Sequence, residues 1–329
     1  MKEISFSELD GDFRIGSVEN QSAGTGCTVI ICPQGAPCSV DIRGGGPASR
    51  ESGLLDPVAA ADRIHAVLLS GGSAYGLDAA GGVMRYLEEQ GIGLPVGDAL
   101  VPLVVAACIF DLVCGENVRP DAAMGYAACV DAQAGRAPME GNHGVGTGAT
   151  VGKLLNGDGM MKTGLGTFAL EIGELQVGAI VAVNALGDVI DAQGNILAGL
   201  RSADGKGFAD TRQVMFDHYE ELVPILSGSG QAATNTTIGA VITNGKFDKT
   251  QLKKLAALAS NGVVRAVRPV NTTADGDSIF ALSVGDVECD INLVGTAAAY
   301  AMEQAIRRAV TRAEGAYGIP ALRDLHLEK

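Results

Sequence analysis

Asn235-Thr236-Thr237-Ile238-Gly239-Ala240-Val241-Ile242-Thr243-Asn244 is the stretch that decides how this chain folds. A loop of small residues, Ser227-Gly228-Ser229-Gly230, runs towards it, and an apolar run starts directly at the two threonines. β-Branched residues suit a pleated, half-buried surface, so the run reads as a buried strand with Thr236 at its mouth. Taken alone, that is an ordinary loop-to-strand junction. It also has a chemical reading. A cut between Asn235 and Thr236 would leave one residue carrying a hydroxyl nucleophile and a free α-amine. Such an amine, with a reference pKa of ~7.7–8.0, can take up the hydroxyl proton near neutral pH.

Further buried strands are expected over residues 26–32 and 65–70, a short paired strand over 38–43, and an apolar strand over 101–112. Residues 162–172 and 175–184 read as an antiparallel pair joined at Gly173-Glu174. A helix should open at Gly71-Gly72-Ser73-Ala74-Tyr75-Gly76-Leu77 and stop at Gly91. Other helices are predicted over 121–134, 249–260 and 291–314, with one short helix within 211–226. Asp248 caps the 249–260 helix, and Asn261-Gly262 should end it. Antiparallel strands with interspersed helices predict an α+β fold of stacked sheets covered by helices, as a single unit over residues 1–329.

Hydrophobic residues make up 47% of the 329, enough for a large core, while aromatics are only 4% and glycines number 46. Such a chain packs backbone closely rather than around aromatic rings. The formal net charge of −14 is a poor match for a phosphate backbone, so no nucleic-acid partner is expected. Seven cysteines, an odd number with no CxxC, read as free thiols in a reducing cytoplasm. The first residues lack the apolar core of a signal peptide, and no uninterrupted apolar run reaches the ~18 residues a membrane span needs. The four histidines show no metal spacing, and Gly141 to Lys153 departs from the phosphate-loop pattern because Leu154 follows Lys153. No metal or cofactor is expected.

An amidohydrolase built on an N-terminal threonine needs an oxyanion donor, groups to hold the amine, and a pocket. Asn184 ends a hydrophobic strand and could supply a neutral amide donor. Asp275-Gly276-Asp277 stands before the strand at Ser278 and could turn two carboxylates to one side, with Lys153 as their counter-charge. Tyr75 sits in a Gly-rich helix start and could face a pocket. Singly, each also has a plain structural reading: a turn at Asn184, a solvated loop at Asp275-Gly276-Asp277, a surface lysine, a tyrosine packed on a sheet.

Together, the segments Gly71 to Leu77, Asn184, Asn235-Thr236-Thr237-Ile238 and Asp275-Gly276-Asp277 resemble one peptidase family in order and spacing, over roughly residues 15–315. That family includes L-aminopeptidase/D-esterases, β-peptidyl aminopeptidases and nylon-oligomer (6-aminohexanoate oligomer) hydrolases. The resemblance implies an αββα sandwich like that of N-terminal nucleophile hydrolases, with ornithine acetyltransferase as a related architecture. It implies self-cleavage at Asn235–Thr236 into 1–235 and 236–329, and homo-oligomers, often tetramers, of the processed pair. It puts the nucleophile on Thr236, the oxyanion asparagine on Asn184, the carboxylates on Asp275 and Asp277, the lysine on Lys153 and the pocket tyrosine on Tyr75. A Thr nucleophile with Asp-Gly-Asp looks most like the nylon-oligomer branch, which implies linear amides bearing an amine as substrates. An α- or β-aminopeptidase, an acyltransferase using the same acyl-enzyme, and a non-catalytic assembly protein are the alternatives.

Overall fold

A computed structural model describes residues 1–155, 157–222 and 235–325; the Ser227–Gly230 loop lies outside them, as does the end of the helix expected within 211–226. In chain order the main strands are β1 (Lys2–Ile4), β2 (Arg14–Asn20), β3 (Thr25–Ala36), β4 (Cys38–Ile42), β5 (Ala48–Arg50), β6 (Ile64–Ser70), β7 (Val104–Cys108), β8 (Leu165–Ile172), β9 (Leu175–Asn184), β10 (Thr236–Gly245) and β11 (Ser278–Val287). The principal helices are α1 (Ala79–Glu89), α2 (Ala122–Ala132), α3 (Lys249–Ala266) and α4 (Ile291–Thr311).

One six-stranded sheet runs in the order β1-β8-β9-β10-β11-β4, and a five-stranded sheet in the order β2-β3-β6-β7-β5. Period-two alternation explains how they stack. In β3, Ile30 and Cys32 face the other sheet, whereas Val29 and Ile31 face α1 and α2. In β10, Ile238, Ala240 and Ile242 face between the sheets, whereas Val241 meets α3 and α4. The layers are therefore helices, sheet, sheet, helices: the αββα sandwich that was expected. Each Val or Ile taken out of water on these faces contributes ~1.5–3 kcal/mol, and both sides of both sheets are used.

Several boundaries match the sequence reasoning for identifiable reasons. Asp121 accepts the Met124 amide at 2.9 Å and starts α2, while Asp248 and Gln251 form a reciprocal capping box at the start of α3. Gly173 turns β8 into β9 at φ 62°, and Gly91 follows α1 at φ 71°. All seven cysteines are unpaired, and six are buried. Other boundaries differ. Asn261-Gly262 does not end α3, which continues to Ala266. Gly262 is there for packing: a Cβ on it would stand 2.2 Å from the Ala299 carbonyl oxygen of α4. The Gly71–Leu77 stretch is not α-helical from its start; a 3-10 turn over Ser73–Asp78 precedes α1. The expected strand over 101–112 shortens to β7, and α4 stops at Thr311. No helix among the described residues is long and apolar enough to cross a membrane.

Candidate active site

β10 lies between β9, antiparallel to it, and β11, parallel to it, so its first residue opens at a strand mouth with neighbours on both sides. The β9 register sets Asn184 directly opposite Thr236. By alternation both side chains share the face of Ile180, Ala182 and Ile238, between the two sheets. The β11 register runs Ile238 to Ser278, which places Thr237 beside Asp277 on the opposite, helix-covered face. An isolated parallel bridge extends the pairing back to Asn235 and Asp275.

Thr236 is only 4% exposed. Its hydroxyl donates to the carbonyl oxygen of Asn235, the residue just before it. The same oxygen accepts the Gly276 amide at 2.8 Å. Gly276 has to be small here, because a Cβ would sit 2.9 Å from Thr236 Oγ1 and 2.9 Å from the Gly46 carbonyl. The Gly44–Gly46 turn, unremarkable in the sequence, is the outer wall of this loop. Gly46 N donates to Asp275 O at 2.9 Å and Gly45 N to Thr272 O at 3.1 Å.

The carboxylates do their local work on backbone. Asp277 Oδ1 accepts the Thr237 amide at 2.6 Å and Oδ2 the Asn271 amide at 2.9 Å. Asp275 Oδ2 accepts the amide and hydroxyl of Thr272 at 2.8 and 2.6 Å. Burial first, and then the adjacent Asp275 charge, hold the Asp277 carboxyl well above the usual carboxylate range. Three buried oxygens around the Asn235–Thr236–Thr237 segment have no hydrogen-bond partner: Asn235 Oδ1, Thr237 Oγ1 and Asp275 Oδ1.

Asn184 is held from three directions. Its Oδ1 accepts Thr150 N at 3.1 Å and Thr150 Oγ1 at 3.3 Å, and its Nδ2 donates to Phe110 O at 3.0 Å. Lys153 Nζ donates to the Asn184 backbone carbonyl at 2.9 Å. Burial pulls the Lys153 ammonium down to about 7, with Asp275 the strongest charge opposing that fall. Lys153 thus joins the strand mouth rather than the surface.

Thr236, Asn235, Asn184, Asp275, Asp277 and Lys153 accordingly share one location. Tyr75 stands in the 3-10 turn over Ser73–Asp78: it is 63% exposed, and the Arg119 guanidinium lies 4.1 Å above its ring centre. Two buried charges escaped the sequence reasoning. Asp111 accepts Gly72 N at 2.7 Å and Thr25 Oγ1 at 2.6 Å, with burial pushing its carboxyl up to about 6. Lys162 donates to Ala149 O and Thr163 O, both at 2.8 Å, and burial pulls it down to about 8. Neither sits in a motif; only the topology collects them behind Asn184. Among the described residues no cluster of His, Cys, Asp and Glu could hold a metal ion. A cleft of about 560 Å³ lined by Lys246, Phe247 and Asp286 lies beyond the other end of β10, away from Thr236.

Residues 11–321 match Peptidase family S58. An uncharacterized aminopeptidase of Mycobacterium bovis is 37% identical, over 97% of this chain and 94% of its own. A 6-aminohexanoate-oligomer endohydrolase of Kocuria sp. is 34% identical, over 83% of this chain and 73% of its own. The solved structure of the L-aminopeptidase D-Ala-esterase/amidase from Ochrobactrum anthropi, described as a variant of the Ntn hydrolase fold, superposes with a TM-score of 0.64 at 20% identity, covering 96% of this chain and 88% of that one. The mycobacterial aminopeptidase is more similar than the oligomer endohydrolase, and over more of the chain, which favours the aminopeptidase alternative over the nylon-oligomer branch.

Proposed function

The chain belongs to peptidase family S58, amide and peptide hydrolases of the N-terminal-nucleophile type, and on that premise we propose a self-processing aminopeptidase that uses Thr236. One observation carries this reading. The Thr236 hydroxyl is in contact with the Asn235 carbonyl, whose oxygen also takes the Gly276 amide. In self-cleavage, Oγ attacks the Asn235 carbonyl carbon, and Gly276 N–H stabilises the developing oxyanion. The C–N bond breaks, the nitrogen gains a proton, and the acyl group rests on Oγ as an ester. Water then releases the Asn235 carboxylate and a free Thr236 amine. Lys153, with its proton affinity near neutrality, balances the charge of Asp275 and Asp277.

In the processed enzyme the same hydroxyl attacks a substrate carbonyl while the α-amine takes its proton. Asn184 serves the substrate oxyanion from across the strand pair. The leaving amine departs protonated, and water frees the acyl group. The substrate class we favour is short peptides and small amides with a free amine on the acyl part, since the aminopeptidase relative is more similar than the oligomer hydrolase.

Intact-mass measurement of purified protein tests the first step: two pieces, 1–235 and 236–329, should appear, and Thr236→Ala should stay whole. An active sample showing only the 33.5 kDa chain would sink the proposal. L-alanyl p-nitroanilide, β-alanyl p-nitroanilide and a 6-aminohexanoate dimer then sort the substrate. Turnover of the dimer with neither anilide would return the protein to oligomer hydrolysis.

A further inference from the structure

We infer that Asp111 is a positioning residue for turnover: its carboxylate fixes the peptide that aims Asn184, without itself touching substrate. Asp111 is buried and stands just beyond the end of β7. Its Oδ1 accepts Gly72 N at 2.7 Å, and its Oδ2 accepts Thr25 Oγ1 at 2.6 Å. Backbone closes on it from two sides. A Cβ on Gly71 would stand 2.0 Å from Asp111 Oδ2, and one on Gly148 2.5 Å from Asp111 Cβ. Burial pushes the carboxyl up to about 6, against its hydrogen bonds and the charge of Lys162. A buried carboxylate is a costly way to fill a core position. What it holds in place is therefore the question.

Two tethers of Asn184 meet at Asp111. The first is the Phe110 carbonyl, which accepts Asn184 Nδ2 at 3.0 Å. That C=O and the Asp111 N–H belong to one rigid peptide plane. On one side the plane is held by Ile109, whose N donates to Ser70 O and whose O accepts Ser73 N, both at 2.8 Å. On the other it is held by the Asp111 side chain and by Cys114 N, which donates to Asp111 O at 2.9 Å. The second tether is Thr150, whose N donates to Asn184 Oδ1 at 3.1 Å. Gly148, two residues earlier, lies against Asp111 Cβ, and its carbonyl accepts Cys114 Sγ at 3.3 Å. Asp111 thus braces both supports of the Asn184 amide, and Asn184 is the residue paired with Thr236. A catalytic group displaced by ~1 Å can cost about 10²-fold in rate.

The inference rests on Asn184 serving the substrate oxyanion, and its test separates the two. Asp111→Ala removes both acceptors. Asp111→Asn keeps both bonds: its amide oxygen accepts from Gly72 N–H, and its NH2 donates to the Thr25 hydroxyl, which turns to accept. Crystal structures of the two variants give a reading that needs no substrate. Asn184 Nδ2 should leave hydrogen-bond distance of Phe110 O in Asp111→Ala and keep it in Asp111→Asn. Kinetics of the processed enzymes, on the most active of the three amides named above, give the second reading. In Asp111→Ala, kcat should fall about ten- to a hundredfold with little change in KM, and in Asp111→Asn it should recover to within about threefold of wild type. In an Asn184→Ala background, Asp111→Ala should cost nothing further. Self-cleavage, whose oxyanion takes the Gly276 N–H, should still reach completion in every variant. If Asp111→Ala does not fold, Thr25→Val, which deletes one of the two donors, should show the same pattern with a smaller loss. An Asn184 amide that stays in place, a loss that adds in full to that of Asn184→Ala, or an Asp111→Asn enzyme as slow as Asp111→Ala would each overturn the assignment. So would an Asp111→Asn chain that no longer cuts itself, because the carboxylate would then support the whole strand mouth. A displaced Asn184 with unchanged kcat would uphold Asp111 as its support and count against Asn184 as the oxyanion donor.

Discussion

The Asn184 amide can sit only one way round. Thr150 N–H can only donate and Phe110 C=O can only accept, so Oδ1 must face the first and Nδ2 the second. That orientation puts the N–H-bearing group on the Phe110 side of the residue paired with Thr236, and the oxyanion role proposed for Asn184 draws on that group. Removing one such donor typically costs ~10²–10³ in kcat, so Asn184→Ala in processed enzyme should lose rate on that scale. It should also lose ~1–3 kcal/mol of stability, because two buried backbone groups lose their partner. Thr150→Val separates the effects: it deletes only the hydroxyl donor at 3.3 Å and should leave kcat within about tenfold. Single-turnover kinetics on both variants check this, and an Asn184→Ala enzyme with normal kcat would remove Asn184 from the chemistry. The asparagine itself was legible from its place at a strand end. Its three tethers were not, since Phe110, Thr150 and Lys153 come from separate segments that only the tertiary fold brings together.

Two glycines inside helices show why sequence rules alone mislead at the level of elements. A helical glycine is ordinarily a fault, worth ~0.5–1 kcal/mol relative to alanine. Gly81 in α1 obeys the rule: a Cβ there meets nothing within 4 Å. Gly262 in α3 does not, because its Cβ would sit 2.2 Å from a backbone oxygen of α4 that cannot swing aside. Overpacking costs ~1–3 kcal/mol and more where backbone must move, which outweighs the helix gain. Thermal or denaturant unfolding should therefore give opposite signs, Gly81→Ala stabilising by up to ~1 kcal/mol and Gly262→Ala destabilising. A stabilised Gly262→Ala would mean the α3–α4 crossing is looser than this geometry. The same close approach explains the misplaced end of α3: Asn-Gly after an apolar stripe reads as a stop, and only the neighbouring helix reveals otherwise. Strand patterns fared better, because β8, β9 and β10 are long, apolar and bounded by turns. The docking of Gly44–Gly46 over Asp275-Gly276-Asp277 carried no local signal at all.

Across the whole molecule, buried carboxyl and ammonium groups gather behind one strand mouth, and the burial of four of them, Asp111, Asp277, Lys153 and Lys162, ties stability to pH in two opposed windows. Asp111 and Asp277 titrate above the ordinary carboxylate range when folded. The folded state therefore holds more protons than the unfolded chain from about pH 4 upward, and this contribution to stability is lost as pH rises through the folded values. Lys153 and Lys162 titrate low when folded, at about 7 and about 8. Below those values each is charged in both states, and the folded protein bears the full cost of burying the charge. As pH rises towards the ordinary lysine range near ~10.4, the unfolded chain binds the extra proton, so these residues make stability rise with pH. The two windows meet near neutrality, where the buried groups together help least. Lys162 isolates the alkaline limb, since its ammonium donates to the Ala149 and Thr163 carbonyls rather than to the groups around Thr236. Lys162→Met loses those two bonds at every pH, a constant offset. It also loses the titration, and a folded value of about 8 against ~10.4 unfolded corresponds to about 3 kcal/mol between pH 7.5 and 10.5. The stability of wild type relative to Lys162→Met should therefore grow by about that amount across the interval, read from urea unfolding at each pH. The surface charges of this acidic chain titrate alike in both proteins and cancel from the difference. A gap that stays flat from pH 7.5 to 10.5 would mean that Lys162 keeps its proton inside the fold, held by the field of Asp111 rather than expelled by burial.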